Sequence, residues 1–253
     1  MIYDTLHVAL LSSIAADERS TNAAIARYVL EQGVHIGDLT VRGLADACHV
    51  GTGTVSRFCR EVGFASFDDM REALCSTDRS FERVSIEELT RAASKAMLDV
   101  TRTVNADALE SLARDVIAYD KVSAFGLLKG QAAATCLQVD LIMQGKYIDT
   151  CVSYAEQIER LGSAGRDELF VVFSYTGSYF DSERLRESLY RLDRPRIWMV
   201  CGRGVSVPEP VYATLSFETD FGRLGHPYQL QLVASMVAQA YARLCEEVGE
   251  AAQ

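Results

Sequence analysis

Thr52, Thr54, Ser56, Arg57 and Arg60 fall within the short segment TGTVSRFCR. Hydroxyl side chains followed by arginines are what a helix needs at the end that enters a DNA major groove. Arginine forks onto guanine O6 and N7, and threonine meets a thymine methyl or a phosphate. A second candidate lies downstream in Ser174-Tyr175-Thr176-Gly177-Ser178, directly after the apolar run LFVVF. A strand-to-helix turn rich in Ser, Thr and Gly offers converging N–H and O–H donors without bulk, which is the chemistry of a phosphate site. The same residue types also favour plain connecting turns, and a solvated helical face would account for the arginines. On spacing alone both readings stay open.

Periodicity indicates which elements must position these groups. Residues 20–32 read as a helix with Ala24, Ile25, Tyr28 and Val29 on one stripe, capped by Ser20, Thr21 or Asn22 and stopped by Gly33. Thr40 is expected to cap a second helix, with Arg42 outward and first-turn N–H groups able to hold a phosphate. His49-Val50-Gly51 forms the corner, with histidine at the position that needs a left-handed backbone. Thr52 then opens and caps a third helix whose Val55, Phe58 and Val62 face inward and which ends at Gly63. This is the pattern of a helix-turn-helix. Gly53 in its first turn is expected to loosen it by about 1 kcal/mol relative to alanine. A fourth helix is predicted over residues 67–73.

From about residue 87 the rhythm changes. Helices are predicted over 86–104 and 105–119. Strands at 122–125, 147–152, 169–173, 196–201 and 211–217 then alternate with helices at 130–143, 154–161, 181–192 and 227–248. Five strands with intervening helices predict an α/β domain with a doubly wound, five-stranded parallel sheet, whose ligands sit at the carboxyl ends of the strands. The expected division is an all-α helix-turn-helix domain over 1–75, a polar linker over 76–85 and the sheet domain over 86–253.

Bulk properties exclude other classes. No apolar run approaches the roughly 20 residues that cross a bilayer, and the first 14 residues lack the basic start and cleavage site of a signal peptide. A cytoplasmic protein without membrane partners is expected. The 7 cysteines are scattered, with no pair at metal or redox spacing, so they read as free small hydrophobes, with no metal and no cofactor. The net charge of −10 opposes phosphate binding. Locally, however, residues 39–60 carry Arg42, Arg57 and Arg60 against Asp46 alone.

Residues 20–74 resemble the N-terminal domain of the RpiR family of bacterial transcriptional regulators. The carrying segments are IARYVL, LTVRGLADACHVGTGTVSRFCREVGF and FDDMREAL. Residues from about 88 to 250 resemble a sugar isomerase (SIS) domain, the partner that the family joins to its DNA-reading domain. The resemblance implies a regulator of carbohydrate metabolism genes, not an enzyme. It would bind double-stranded operator DNA as a homodimer or tetramer and respond to a sugar phosphate, with repression relieved by ligand as the simplest sign. DNA contacts are expected from Thr40, Arg42, Thr52, Thr54, Ser56, Arg57 and Arg60. Effector contacts are expected from Gly126, Lys129, Ser174, Thr176, Gly177 and Ser178. The first strand's turn departs from the family's Gly-x-Gly-x-Ser, reading Gly126-Leu127-Leu128-Lys129-Gly130, so Leu128 stands for a glycine and Gly130 for a serine. Lys129 could compensate with charge, or the receptor could have lost its ligand and serve dimerisation only. A phosphosugar isomerase is the competing class, with Glu156, Glu159, Glu218 or Asp220 as candidate bases. His226, Tyr175, Tyr179 and Phe180 could face the pocket or be structural.

Overall fold

In the computed structural model the described residues are 5–76, 83–181, 183–190, 193–220, 222 and 224–251. Most of the expected linker therefore lies outside them. The chain divides into two compact units, one formed by Tyr3–Arg83 with Val152–Ala155 and the other by Val84–Cys151 with Glu156–Gln253.

The first unit is all helical: α1 (Thr5–Ala16), α2 (Thr21–Gln32), a 3-10 turn (Gly33–Asp38), α3 (Val41–Ala47), α4 (Thr52–Glu61) and α5 (Phe67–Ser76). The apolar stripe of each faces a shared core built on Leu6, Leu10, Ile25, Val29, Ile36, Leu44, Val55, Phe58 and Met70. The helix α1 and the 3-10 turn were not expected from sequence. Arg71 of α5 donates to the Leu39 carbonyl at 3.1 Å, which ties α5 to the residue before the α3 cap.

The second unit begins with α6 (Ile86–Thr103) and α7 (Ala106–Ala118). The α6 start is a capping box in which Ser85 and Glu88 satisfy each other's backbone N–H groups. Then come β1 (Lys121–Gly126), α8 (Lys129–Ile142), α9 (Tyr154–Ser163), β2 (Glu168–Phe173), α10 (Glu183–Leu189), β3 (Arg196–Gly202), β4 (Ala213–Phe217) and α11 (His226–Ala251). The sheet has four strands, not five, all parallel, in the order β1-β2-β3-β4.

The expected strand at 147–152 is reduced to one parallel bridge, Ser123 with Asp149. Backbone bonds of 2.8 Å join Ala124 N–H to Asp149 O and Asp149 N–H to Val122 O. The ladder stops there because Thr150 turns its hydroxyl onto the Ala124 carbonyl at 2.6 Å. This bridge still lies beyond β1, on the side away from β2. Counting it, the order is that of a doubly wound sheet that reverses between β1 and β2, and such folds bind ligands at that reversal.

Both faces of the sheet are covered. Val122, Ala124, Leu169, Val171, Phe173, Val200 and Leu215 point to one side and join the apolar faces of α7, α8 and α11. The alternate residues Phe125, Phe170, Val172, Ile197 and Met199 are buried on the other, where right-handed crossovers put α9 and α10. Asp115 of α7 pins β3 to its helix, accepting from Arg196 at 2.8 Å and from Trp198 Nε1 at 2.7 Å.

Candidate functional site

The helix-turn-helix corner is built by two successive helix stops. At the end of α3, Val50 N–H bonds Ala45 O (2.9 Å) and His49 N–H bonds Asp46 O (3.2 Å), with His49 at φ 54. At the end of α4, Phe64 N–H bonds Cys59 O (2.8 Å) and Gly63 N–H bonds Arg60 O (3.2 Å), with Gly63 at φ 95. Both are Schellman closures, which need a left-handed residue. Glycine fills that need once, and histidine fills it at the corner.

The polar face expected for α4 is there. Thr52, Ser56, Arg57 and Arg60 are exposed and Thr54 is half-buried, while Val55, Phe58 and Cys59 are buried. Among the described residues no acid pairs with Arg42 or Arg57, so both guanidinium groups can meet an anion. Arg60 Nε donates to Ser56 O (3.2 Å), and Ser56 Oγ donates to Thr52 O (3.1 Å). Thr40 caps α3, its hydroxyl accepting from Gly43 N–H at 3.0 Å. One expectation is corrected: Thr52 does not cap α4. The N-cap is Gly51, extended at φ −78, ψ 151, with no side-chain bond. Its carbonyl takes the N–H groups of Thr54 and Val55. The left-handed turn at His49 and the extended Gly51 place Thr52 one residue inside the helix. Without a cap, the α4 start offers its first N–H groups to a phosphate.

In the second unit, the turns after β1 and β2 lie side by side at the reversal point. Gly126 ends β1 and Gly130 lies in the first turn of α8. A Cβ on Gly126 would come within 2.5 Å of the Gly130 carbonyl carbon, and one on Gly130 would collide with the Phe173 carbonyl oxygen. Both glycines therefore seat α8 on the ends of β1 and β2. Leu128, the α8 N-cap, holds φ 50, ψ −109, a conformation that costs a side-chain-bearing residue of order 1–3 kcal/mol. Lys129 is exposed at the first position of α8.

After β2 the hydroxyls divide between a buried serine and a half-buried pair. Ser174 is 5% exposed and its Oγ accepts from Tyr179 N–H at 3.1 Å. Thr176 Oγ1 donates to Ser178 Oγ at 3.0 Å. Gly177 at φ 83 makes the bend, with Val205 against it. The helix expected over 181–192 is a correction. The turn runs into a 3-10 turn, Ser178–Asp181, and α10 is only Glu183–Leu189. Burial of Tyr179 and Phe180 beneath the strand end tightens the backbone there. A long helix dipole aimed at an anion therefore belongs to α8, not to α10.

The aromatic residues are structural. Tyr175 is 6% exposed, with its ring 6.1 Å from Phe217 and 4.9 Å from His226, which is itself buried. Burial pushes the Tyr175 phenol up to about 12. The candidate bases are surface groups: Glu218 pairs with Arg203 (2.6 Å), Glu156 with Arg160 (2.7 Å), and Glu159 and Asp220 are exposed. Burial raises the thiols of Cys59, Cys151 and Cys201 to about 11, which keeps them protonated. Among the described residues no three His, Cys, Asp or Glu gather as a metal site, and no helix is long and apolar enough to cross a membrane.

Two residues were missed from sequence. Gln131 and Gln157 are buried at the end of β1, their amides 3.0 Å apart, and Gln157 Nε2 donates to the carbonyls of Gly126 (3.1 Å) and Cys151 (2.7 Å). They hold the β1 turn from below. Their only sequence signal is a glutamine on the inward side of each helix.

Residues 9–80 match the model of the helix-turn-helix domain, rpiR family. An uncharacterized HTH-type transcriptional regulator of Caldanaerobacter subterraneus subsp. tengcongensis is 22% identical over 188 residues, covering 68% of this chain. The chain spans 65% of that relative's length. The fold is similar to that of the Vibrio vulnificus NanR protein, solved in complex with ManNAc-6P: TM-score 0.54, 16% identity, covering 97% of this chain and 94% of that one. The sugar isomerase domain of an RpiR transcription factor from Sphaerobacter thermophilus is similar over 65% of this chain and 97% of its own, at 14% identity and TM-score 0.49.

Proposed function

Residues 9–80 form a helix-turn-helix domain of the rpiR family, and from that premise we propose that the protein is a DNA-binding transcriptional regulator of carbohydrate metabolism genes, controlled by a sugar phosphate. Residues 1–75 read operator DNA, 76–85 link, and 86–253 hold the effector. It works in the cytoplasm as a homodimer or tetramer, since one small reading head in a chain of net charge −10 gathers little phosphate affinity alone. The observation that carries this reading is the exposed Arg57 and Arg60 of α4 in the same chain as the hydroxyl-bearing 174–178 turn at the sheet's reversal point.

Arg57 and Arg42 meet bases and phosphates, Thr52, Thr54 and Ser56 line the groove, Arg60 contacts the backbone, and Thr40 presents the α3 start to a phosphate. In the crevice, Ser174, Thr176 and Ser178 donate to the effector phosphate. Gly177 permits the bend, Gly126 keeps the strand end open to α8, and Lys129 adds charge. The effector acts as a switch only insofar as it prefers one arrangement of the protein over another. The role is regulatory, not enzymatic: two of the candidate acids are held by surface arginines and the other two face solvent.

The test is a fluorescence or electrophoretic shift of the full chain on its own upstream DNA, with and without a panel of sugar phosphates that includes N-acetylmannosamine 6-phosphate. A specific shift altered by one sugar phosphate supports both halves. No specific shift on any genomic fragment sinks the DNA role and brings the isomerase reading forward. A second reading, a receptor kept only for dimerisation, draws on Leu128 and Gly130 at the β1 turn. It requires the Ser174→Ala/Thr176→Ala double variant to regulate normally.

A further inference from the structure

Tyr175 belongs to the 174–178 turn by its backbone and to the core by its side chain. Its carbonyl accepts from Gly202 N–H at 3.0 Å. Its hydroxyl donates to Gln229 Oε1 at 2.8 Å and touches the Thr219 hydroxyl, which also donates to Gln229 at 3.1 Å. Gln229, on the first turn of α11, is 2% exposed. Its Nε2 donates to the Ala96 carbonyl in the middle of α6 at 3.1 Å.

Ala96 also packs against the residue that precedes α11. A Cβ on Gly225, the residue before α11, would come within 2.5 Å of the Ala96 side chain. At Ala96, α6 meets the start of α11 both by van der Waals contact with Gly225 and by the hydrogen bond from Gln229. A helix-interior carbonyl has a second lone pair free for such a donor. Gln229 is thus bonded at both ends of one amide, by Oε1 to the turn and by Nε2 to α6 and, at 3.3 Å, to the Glu218 carbonyl. The amide is planar and buried, so a shift of the Tyr175 hydroxyl moves it.

We propose that Gln229 is a positioning residue that carries the state of the 174–178 turn to α6. This rests on reading that turn as the effector site. When the turn closes on an anion, the Tyr175 backbone moves with it, and the ring, wedged between Phe217 and His226, passes the displacement to Gln229 and Ala96. The output falls on α6 because α6 is the helix into which the chain runs after the DNA-reading unit and residues 77–85.

The experiment is a double-variant cycle read by hydrogen–deuterium exchange on the full chain, without ligand or DNA. Gly177→Ala displaces the turn, because its Cβ would sit 2.7 Å from Val205 and its φ is +83. Thr176→Val, which cuts the bond to Ser178, serves if Gly177→Ala does not fold. Either turn variant is expected to change the exchange of amides 96–103 by about fivefold or more. That change disappears when the turn variant is combined with Tyr175→Phe, which keeps the ring, or with Gln229→Leu, which keeps the bulk. A merely structural Gln229 would loosen α6 in the single Gln229→Leu variant yet leave the effect of the turn variant in place. That outcome overturns the proposal, as does an α6 indifferent to the turn. Neither outcome touches the regulator reading, which fails on a different measurement, the absence of any sugar phosphate effect on operator affinity.

Discussion

Gly130 lies so close to Phe173 that any side-chain carbon on it would collide with the Phe173 carbonyl oxygen. The serine expected at this position by family resemblance cannot fit while α8 keeps its present seat. Gly130→Ser is therefore expected to destabilise the sheet unit by about 2 kcal/mol, the usual cost of overpacking against a backbone that cannot yield. A chemical denaturation series checks this. A midpoint equal to the parent's would mean that α8 stands further from β2 than described.

His49 is exposed and held at φ 54. A left-handed backbone costs a residue with a Cβ about 1–2 kcal/mol, partly offset on replacement by the greater unfolded-state freedom of glycine. His49→Gly should stabilise the helical unit by ~0.5 kcal/mol, and His49→Val should destabilise it. Urea midpoints of the two variants would show the order, and a reversed order would refute the strain at the corner.

Arg57 is exposed, with no acid paired to it among the described residues. Arg57→Ala should weaken operator binding by about 1–3 kcal/mol if it reads a base, and should narrow the gap between operator and random DNA. Arg60→Ala should act more uniformly across sequences and reduce the salt slope by about 1. Anisotropy titrations at several salt concentrations separate the two. Wild-type affinity in Arg57→Ala with an intact fold would refute the placement of the recognition helix.

The Tyr175 phenol is pushed up to about 12 by burial, against about 10 in an unfolded chain. The folded state then keeps a proton that the unfolded state loses. The associated stability is present below about pH 10 and is lost as pH rises toward 12. Burial also raises the Tyr241 phenol, so absorbance titration at alkaline pH should show a late-ionising fraction that Tyr175→Phe reduces without abolishing. Ionisation of every tyrosine near the ordinary value would contradict its burial.

Helices α2 to α7 were legible from sequence because local rules act there. Ser20, Thr40 and Asn105 cap where their types predict, since each side-chain oxygen accepts an N–H three residues on within its own turn. The apolar stripe of α4 named its buried face in Val55 and Phe58, whereas on α2 Ile25 and Val29 are buried but Ala24 is exposed and Ala23 and Ala26 take its place. The run LFVVF declared a strand buried on both sides, and it is the central β2.

What the sequence could not decide were the relations between distant segments. Nothing local says that 147–152 would make one bridge instead of a strand, because Thr150 is drawn to Ala124, 26 residues away. Helix propensity could not foresee the 3-10 turn after Gly177, which the burial of Tyr179 and Phe180 imposes. The glycine at 130 looked like a lost ligand until α8 was seen seated on Phe173. Sequence leaves Tyr175 open between pocket and core, and its hydroxyl bond to Gln229, 54 residues on, places the side chain in the core. Residue types fix what a side chain can bond, and only tertiary packing fixes which partner comes within reach.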